Sequence, residues 1–184
     1  MPPRKPYRSP EVLPFQGKHD FLSNFYRVKI QCLGRLFYSS EQAYQFFQSF
    51  LFEDNKSAAE IAAEGDAAKC KHLSKKIRFN RKKWEWIKLA IMEGLVVRKF
   101  SDSELRTQLI ATGSATLAEA TTDLFWAVGL NRSVLTRQPF IRFPGQNKLG
   151  KLLMTVRSYF GENFNFPLSF LSQIPKGDEF PNMS

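Results

Sequence analysis

The stretch RKKWEWIKLAIMEGLVVRKF (residues 81–100) carries the clearest secondary-structure signal in the chain. Its apolar residues Trp84, Ile87, Ile91 and Leu95 recur at intervals of three and four positions. This spacing places them on one face of an α-helix. The pattern therefore predicts a long helix whose apolar stripe packs against the core of a domain.

The segments around this helix have boundary signals of their own. Residues 26–39 alternate apolar and polar side chains around Gly34, which predicts a β-hairpin. Ser39 or Ser40 is placed to cap a helix that reaches about Glu53. Further helices are predicted over 56–64, 66–73, 103–112 and 117–120, and a last one after Asn147. The fold class predicted is α+β, mainly α-helical, with a small β-hairpin near the N-terminus.

Composition and length fit one globular domain. The chain has 184 residues, 43% of them hydrophobic, which is enough for a sizeable core. No apolar run approaches the roughly 20 residues of a membrane span, and the N-terminus lacks the apolar stretch of a signal peptide. We expect an intracellular protein, cytoplasmic or nuclear. The expected organisation is a flexible lead-in at 1–11, a domain at 12–165, and a tail at 166–184 that is draped on the domain or disordered.

The charge of the chain is positive and unevenly distributed. Lysine and arginine number 27 against 17 aspartates and glutamates, a formal net charge of +10. The segment KCKHLSKKIRFNRKK (69–83), called here the basic block, contains no acidic residue. Such a block attracts nucleic acid or phosphates. A solvated basic face is the alternative interpretation.

Glu41 begins a helix that is unusually rich in aromatic residues, FYSSEQAYQFF (37–47). A carboxylate at a helix start is often there for stability alone, because the helix dipole favours its charge. However, Glu41, Gln45 and Gln48 form one polar stripe at positions i, i+4 and i+7, next to Tyr44. On a helix expected to be largely buried, such a stripe either faces water or lines a cleft.

Three other positions also have two interpretations each. Trp84 is either a core residue or a stacking surface for a base or sugar, whereas Trp86 points the other way and is expected to be partly exposed. Asp123 is a turn cap or a functional acid that shares one face with Trp126. Asn147 is a helix cap, or it begins a phosphate site in which Gly150 permits close approach.

Five segments in order resemble one family, the NADAR domain, whose bacterial branch is called YbiA-like. They are FLSNFY (21–26), FYSSEQAYQ (37–45), RKKWEWIKLAIM (81–92), TDLFWAVG (122–129) and GQNKLGKLLMTVR (145–157). The resemblance spans about residues 14–160. It implies a mainly α-helical α+β single domain that hydrolyses N-glycosidic bonds without a metal or other cofactor. Some members act on phosphorylated riboflavin-pathway intermediates, and others remove ADP-ribose from guanine in DNA.

The resemblance also implies roles for individual residues. The family's acidic residues fall on Glu41 and Asp123, which makes these two the predicted catalytic groups. Glu41 is expected to be ionised and to stabilise the sugar cation or activate water. The predicted substrate-binding residues are Asn24, Phe25, Tyr44, Trp84, Trp126, Asn147 and Gly150.

This chain departs from the family pattern at a few positions. It has Gln42 where histidine is common, Gln48 where lysine is frequent, and W-A-V-G (126–129) in place of W-G-x-G. The segment 130–143 is also longer than in compact bacterial members.

The sequence leaves three hypotheses for the function. The first is removal of ADP-ribose from guanine, with the basic block contacting DNA. The second is hydrolysis of a riboflavin-pathway intermediate, and the third is non-catalytic binding of ADP-ribose or nucleic acid.

Overall fold

The computed structural model describes residues 11–138 and 142–162. The lead-in at 1–11, apart from Glu11, and the tail at 166–184 lie outside the described residues. The strands are β1 (Val12–Phe15), β2 (Ile30–Cys32), β3 (Arg35–Phe37) and β4 (Thr116–Glu119). The helices are α1 (Ser40–Leu51), α2 (Asn55–Ala63), α3 (Ala67–Leu73), α4 (Arg81–Phe100), α5 (Ser103–Ala111), α6 (Arg132–Arg137) and α7 (Lys148–Gly161), with a 3-10 turn at Ser74–Lys76.

Helix α4 is the central element, as its apolar stripe predicts. It packs against α1, α5, α7 and β2. The stripe residues Ile87, Ile91 and Leu95 are fully or almost fully buried, whereas Trp86 is 52% exposed. Asn80 caps the helix, because its side-chain oxygen accepts a 3.1 Å hydrogen bond from the backbone N–H of Lys83. The helix therefore anchors the core and presents its N-terminal end, with Trp84, toward the site described below.

The predicted hairpin is confirmed. Strands β2 and β3 pair antiparallel, with Ile30 opposite Phe37 and Cys32 opposite Arg35. The two residues between them, Leu33 and Gly34, both have positive φ (47° and 74°). Two left-handed residues are what a tight two-residue hairpin requires, and glycine adopts that conformation without strain.

The predicted helix at 117–120 is wrong. Residues 117–119 belong to β4, which pairs in parallel with β1 so that Leu13 lies opposite Leu117 and Phe15 opposite Glu119. Leu117 and Ala118 are completely buried. A four-residue segment is too short to show a periodicity that separates a strand from a helix, and only pairing with the distant strand β1 decides between them. The same parallel pairing brings the ends of both strands to one edge.

The described residues form the single, mainly helical α+β fold that the sequence predicts. Within them, no helix combines the length and apolarity needed to cross a membrane. Cys32 and Cys70 are free, buried thiols. Burial raises the pKa of Cys70 to about 12, so this cysteine is an inert core residue rather than a nucleophile.

Candidate active site

A cavity of about 750 Å³ lies where the start of α1, the loop after β1 and the end of β4 converge. Its size is within the range of small-molecule sites. The structure brings seven of the nine predicted site residues to its lining: Asn24, Phe25, Glu41, Tyr44, Trp84, Asp123 and Trp126.

Glu41 is held in a fixed position at the base of α1. Ser39 caps this helix by accepting a 3.0 Å hydrogen bond from the N–H of Gln42. The N–H of Glu41 donates to the carbonyl oxygen of Asn24 at 3.0 Å. Glu41 and Gln45 are 5% and 6% exposed, and both line the cavity with Gln48. The polar stripe on α1 therefore lines a cleft instead of facing bulk water.

The protonation of Glu41 is set by opposing influences. Burial raises the pKa of its carboxyl group, and the charge of Asp123 raises it further. The positive charge of Lys71 and a hydrogen bond from Gln45 act in the other direction and lower it. The sequence predicts Glu41 as an ionised residue at a helix start. Burial, which the sequence does not show, has the largest effect on its pKa and favours the neutral form.

Asp123 combines the two functions that its sequence context allowed. Its Oδ1 accepts hydrogen bonds from the backbone N–H groups of Phe125 (2.8 Å) and Trp126 (2.6 Å). The carboxylate thus closes the turn that follows β4. Asp123 also lines the cavity, and both of these hydrogen bonds use Oδ1 and not its second oxygen.

Aromatic side chains form one wall of the cavity. The rings of Tyr44 and Trp84 are 5.1 Å apart, and Trp126 meets Tyr44 edge-on at 5.7 Å. Phe79 packs on Trp84 at 6.2 Å. Trp84 is only 6% exposed, so it serves as a core residue and as part of the cavity wall. Such rings stack on bases or sugars and exclude water.

Asn24 offers an unused hydrogen-bond acceptor. Its Nδ2 lies 3.2 Å from the sulfur of Met92, while its Oδ1 is buried and has no partner within the described residues. The loop is fixed by Lys99, whose Nζ donates a 2.7 Å hydrogen bond to the carbonyl of Ser23. A buried unpaired oxygen in a cavity wall is a place for a donor from a ligand, such as a hydroxyl group.

Asn147 and Gly150 are the two predicted substrate-binding residues that do not line this cavity. Asn147 occupies the N-cap position of α7, but its side chain bonds β4 instead of the first turn. Its Nδ2 donates to the carbonyl of Leu117 (2.8 Å), and its Oδ1 accepts from the N–H of Glu119 (3.2 Å). A Cβ at Gly150 would stand 2.1 Å from the Leu117 oxygen. Both residues therefore lock α7 onto β4.

The first turn of α7 also uses donors that a pyrophosphate would need. The N–H of Lys148 donates to the carbonyl of Phe125 at 3.1 Å, and that of Leu149 donates to the carbonyl of Trp126 at 3.0 Å. These bonds tie the helix to the turn that carries Asp123. The assignment of Asn147 and Gly150 as substrate-binding residues stays a prediction, and the structure shows a positioning task for both.

Several cavity residues are absent from the sequence-based prediction. Glu119 lies in a segment that the sequence pattern assigns to a helix, so the pattern does not reveal its place at a strand end. Lys71 and Lys75 belong to the basic block, and their spacing of four positions was the only signal that they share a side. Within residues 11–138 and 142–162, no group of three or more His, Cys, Asp or Glu side chains is arranged to hold a metal ion.

Comparison with known proteins places this fold and site in a family. The NADAR domain model matches residues 14–160. The chain belongs to the NADAR family. The solved structure of the E. coli protein YbiA superposes with a TM-score of 0.68 at 26% identity, covering 87% of this chain and 91% of YbiA. The predicted family and fold class are therefore confirmed.

Relatives in this family have named activities. The chain is 32% identical over 122 residues to an N-glycosidase of Acanthamoeba polyphaga mimivirus, covering 65% of this chain and 72% of that protein. It is 33% identical over 120 residues to an N-glycosidase of Nostoc punctiforme, covering 61% of this chain and 69% of that protein. It is 31% identical over 153 residues to a riboflavin biosynthesis protein of Vibrio vulnificus. The match covers 82% of this chain but only 38% of the Vibrio protein. The names agree with the predicted enzyme class, hydrolases of N-glycosyl bonds.

Proposed function

We propose that this NADAR-family protein is an N-glycosidase that removes ADP-ribose from guanine bases in DNA. The observation that carries the proposal is the pairing of two carboxyl groups, Glu41 and Asp123, in one aromatic-walled cavity. Names of the mimivirus and Nostoc relatives support the enzyme class. The choice of ADP-ribosylated guanine is the finer part of the proposal and rests on the chemistry below.

Two carboxyl groups suit the cleavage of an N-glycosidic bond. The sugar acquires the character of an oxocarbenium ion in the transition state, and a nearby carboxylate stabilises that positive charge. Glu41, buried and fixed by Gln45, is placed to do this and to take a proton from the attacking water. Asp123 has one oxygen held by backbone N–H groups and presents the other to a ribose hydroxyl.

The positive surface beside the cavity favours a polyanionic substrate. Lys71 and Lys75 line the cavity and are themselves exposed. The basic block continues outward from them through exposed residues Lys76, Arg78, Arg81 and Lys82. A pyrophosphate near Lys71 and a DNA backbone along the rest of the block would both find complementary charge.

A second candidate is an N-glycosidase of small phosphorylated riboflavin-pathway intermediates. The name of the Vibrio relative favours it, although this chain spans only part of that protein. Such a substrate needs no extended basic surface. A third candidate is a non-catalytic binder of ADP-ribose, which the departures at Gln42 and Ala127–Val128 keep open.

One turnover experiment separates these functions. Purified protein and its Glu41→Gln variant receive an oligonucleotide that carries ADP-ribosyl-guanine, and released ADP-ribose is followed. We expect release by the wild type and a loss of about 10²-fold or more in the variant, the usual scale for a catalytic carboxylate. Binding of the oligonucleotide without release would instead favour the binder. If the protein neither binds nor cleaves the oligonucleotide, the riboflavin-pathway intermediates become the substrates to test.

A further inference from the structure

Glu119 is an acidic group of the cavity that the roles of Glu41 and Asp123 leave unused. It is the last residue of β4. Its N–H donates to Oδ1 of Asn147 at 3.2 Å, and its carbonyl accepts from the N–H of Val128 at 3.0 Å. Because both sides of its backbone are held, the strand end fixes the backbone of Glu119 at the wall of the cavity, which it lines together with Glu41 and Asp123.

The three carboxyl groups differ in the donors that stabilise a negative charge. Glu41 accepts a hydrogen bond from the Gln45 amide, and Asp123 accepts two from backbone N–H groups. In the described part of the chain, the carboxyl group of Glu119 accepts none. Neighbouring carboxylates repel one another, and protonation of one of them relieves this repulsion. The proton stays on the carboxyl group that accepts the fewest hydrogen bonds, because its negative charge is the least stabilised. That group is Glu119.

We propose that Glu119 is the general acid of the reaction and gives its carboxyl proton to the nitrogen of the leaving group. This inference rests on the N-glycosidase function proposed above. An amino nitrogen leaves poorly as an anion, so a proton donor at the leaving group is the contribution that neither Glu41 nor Asp123 provides.

The step balances with water as the co-reactant. The bond between C1 of the sugar and the nitrogen breaks, and its electron pair goes to the nitrogen, which takes the proton of Glu119. The oxygen of water bonds to C1, and the proton that it loses passes to the carboxylate of Glu41. Glu41 then releases this proton, and Glu119 regains one from solvent, so both groups return to their starting states.

The surroundings of Glu119 agree with this role. Burial raises its pKa to about 7, and the charges of Glu41 on α1 and Asp123 after β4 also raise it. Lys71 on α3 and Lys99 on α4 lower it. An acid works best when its pKa lies near the working pH, because it is then both protonated and able to release its proton.

The test compares the wild type with Glu119→Gln, which keeps the shape but cannot supply the proton. The value of kcat/KM is measured from acidic to mildly alkaline pH on an N-glycoside that the wild type cleaves. We expect a loss of about 10²–10⁴-fold, the usual contribution of a general acid. The fall in wild-type activity above neutral pH should also vanish in the variant. Affinity for the product ADP-ribose should stay within about threefold, which shows that the fold is intact.

A second measurement assigns the titrating group. Burial lowers the pKa of Lys99 to about 7, so the rate profile alone does not separate Lys99 from Glu119. The carboxyl ¹³C signal that disappears in Glu119→Gln belongs to Glu119, and we expect it to titrate near neutrality. The matched control is Glu60→Gln, which alters an exposed carboxylate on α2 and should change neither readout.

The outcomes separate the inference from the function on which it rests. An active wild type with a Glu119→Gln variant that keeps its rate within about threefold overturns only the inference. A carboxyl signal that titrates near the ordinary glutamate value of about 4.3 overturns it too. A wild type that cleaves none of the N-glycosides overturns the proposed function, and the role of Glu119 falls with it.

Discussion

The side-chain amide of Gln45 donates a 2.8 Å hydrogen bond to Oε1 of Glu41, one turn earlier on α1. Both side chains are almost fully buried at the cavity. The bond stabilises the charged form of Glu41, whereas burial favours the neutral form. Together with the charge of Lys71, the bond from Gln45 therefore opposes burial and extends to lower pH the range in which Glu41 is the carboxylate that the proposed chemistry needs.

Replacing Gln45 by methionine should make the enzyme more sensitive to acid. The pKa of Glu41 is already raised, and loss of the hydrogen bond raises it further, so Glu41 becomes protonated at a higher pH. At alkaline pH the variant should be as active as the wild type at the same pH, and its activity should fall earlier as the pH decreases. On the acid side of the kcat/KM profile we expect about a tenfold loss, the worth of one charge-assisted bond.

A matched control is available on α5. There Gln108 donates a 3.5 Å hydrogen bond to Glu104, also one turn earlier, but at the surface. Gln108→Met should leave the profile unchanged. An acid limb that stays in place in Gln45→Met would show that Glu41 does not need this donor.

Asn147 should be a stability determinant. Asn147→Ala removes two hydrogen bonds to β4 and leaves the buried carbonyl of Leu117 without this donor. Alanine is also strained at the positive φ of 50°. We expect the free energy of unfolding, measured in urea, to fall by about 2–4 kcal/mol. This loss combines the cost of an unpaired buried carbonyl group with the cost of the backbone strain.

The companion variant Asn147→Gly separates the two causes. Glycine tolerates the left-handed conformation, so only the loss of the hydrogen bonds remains. Affinity for ADP-ribose, measured by calorimetry on the folded variants, tests the predicted role of Asn147 in substrate binding. A large loss of affinity with unchanged stability would contradict the positioning role and support substrate binding by this residue.

These features show which parts of the structure a sequence can reveal. Helix α4 and the β2–β3 hairpin depend on local periodicity and a two-residue turn, so pattern alone predicts them. The pairing of β1 with β4 joins segments about a hundred positions apart, and no local signal reports it. The site follows the same division: Glu41 is visible as a helix start, whereas Glu119 becomes visible only when β4 is recognised as a strand.

Gly150 should tolerate no side chain. A Cβ there would lie 2.1 Å from the carbonyl oxygen of Leu117, far inside van der Waals contact, and that oxygen belongs to backbone that cannot move freely. Gly150→Ala should therefore push α7 away from β4 and cost about 3 kcal/mol or more, at the upper end of overpacking effects. Gly161→Ala is the control on the same helix, because nothing lies within 4 Å of its Cβ position. Equal thermal stability of the two variants would contradict the close approach.

Trp126 should contribute to ligand affinity while Trp86 does not. Trp126 lines the cavity and meets Tyr44 edge-on, whereas Trp86 lies 52% exposed on the far side of α4. Stacking on a base is worth about 1–3 kcal/mol, so Trp126→Ala should weaken ADP-ribose binding by about five- to 150-fold. Trp86→Ala should bind as the wild type does. Calorimetry with both variants gives the answer, and equal affinities would remove Trp126 from the site.

The basic block beside the cavity should govern DNA binding without governing the chemistry. Lys76, Arg81 and Lys82 are exposed and lie outside the cavity lining. Replacing all three by alanine should weaken binding of an oligonucleotide. The slope of log K against log salt should become shallower by about 0.7–0.9 for each phosphate that the variant no longer neutralises. Turnover of a small N-glycoside should remain unchanged, because the cavity keeps Glu41, Asp123 and Lys71.

Replacing Arg137, Arg142 and Lys151, exposed basic residues on or next to α6 and α7, provides a control of equal charge change. This second triple variant should bind the oligonucleotide nearly as the wild type does, because its substitutions lie outside the basic block. If both triple variants bind equally weakly, attraction comes from net charge alone. That result would remove the argument that the basic block selects DNA, and it would favour a small metabolite as the substrate.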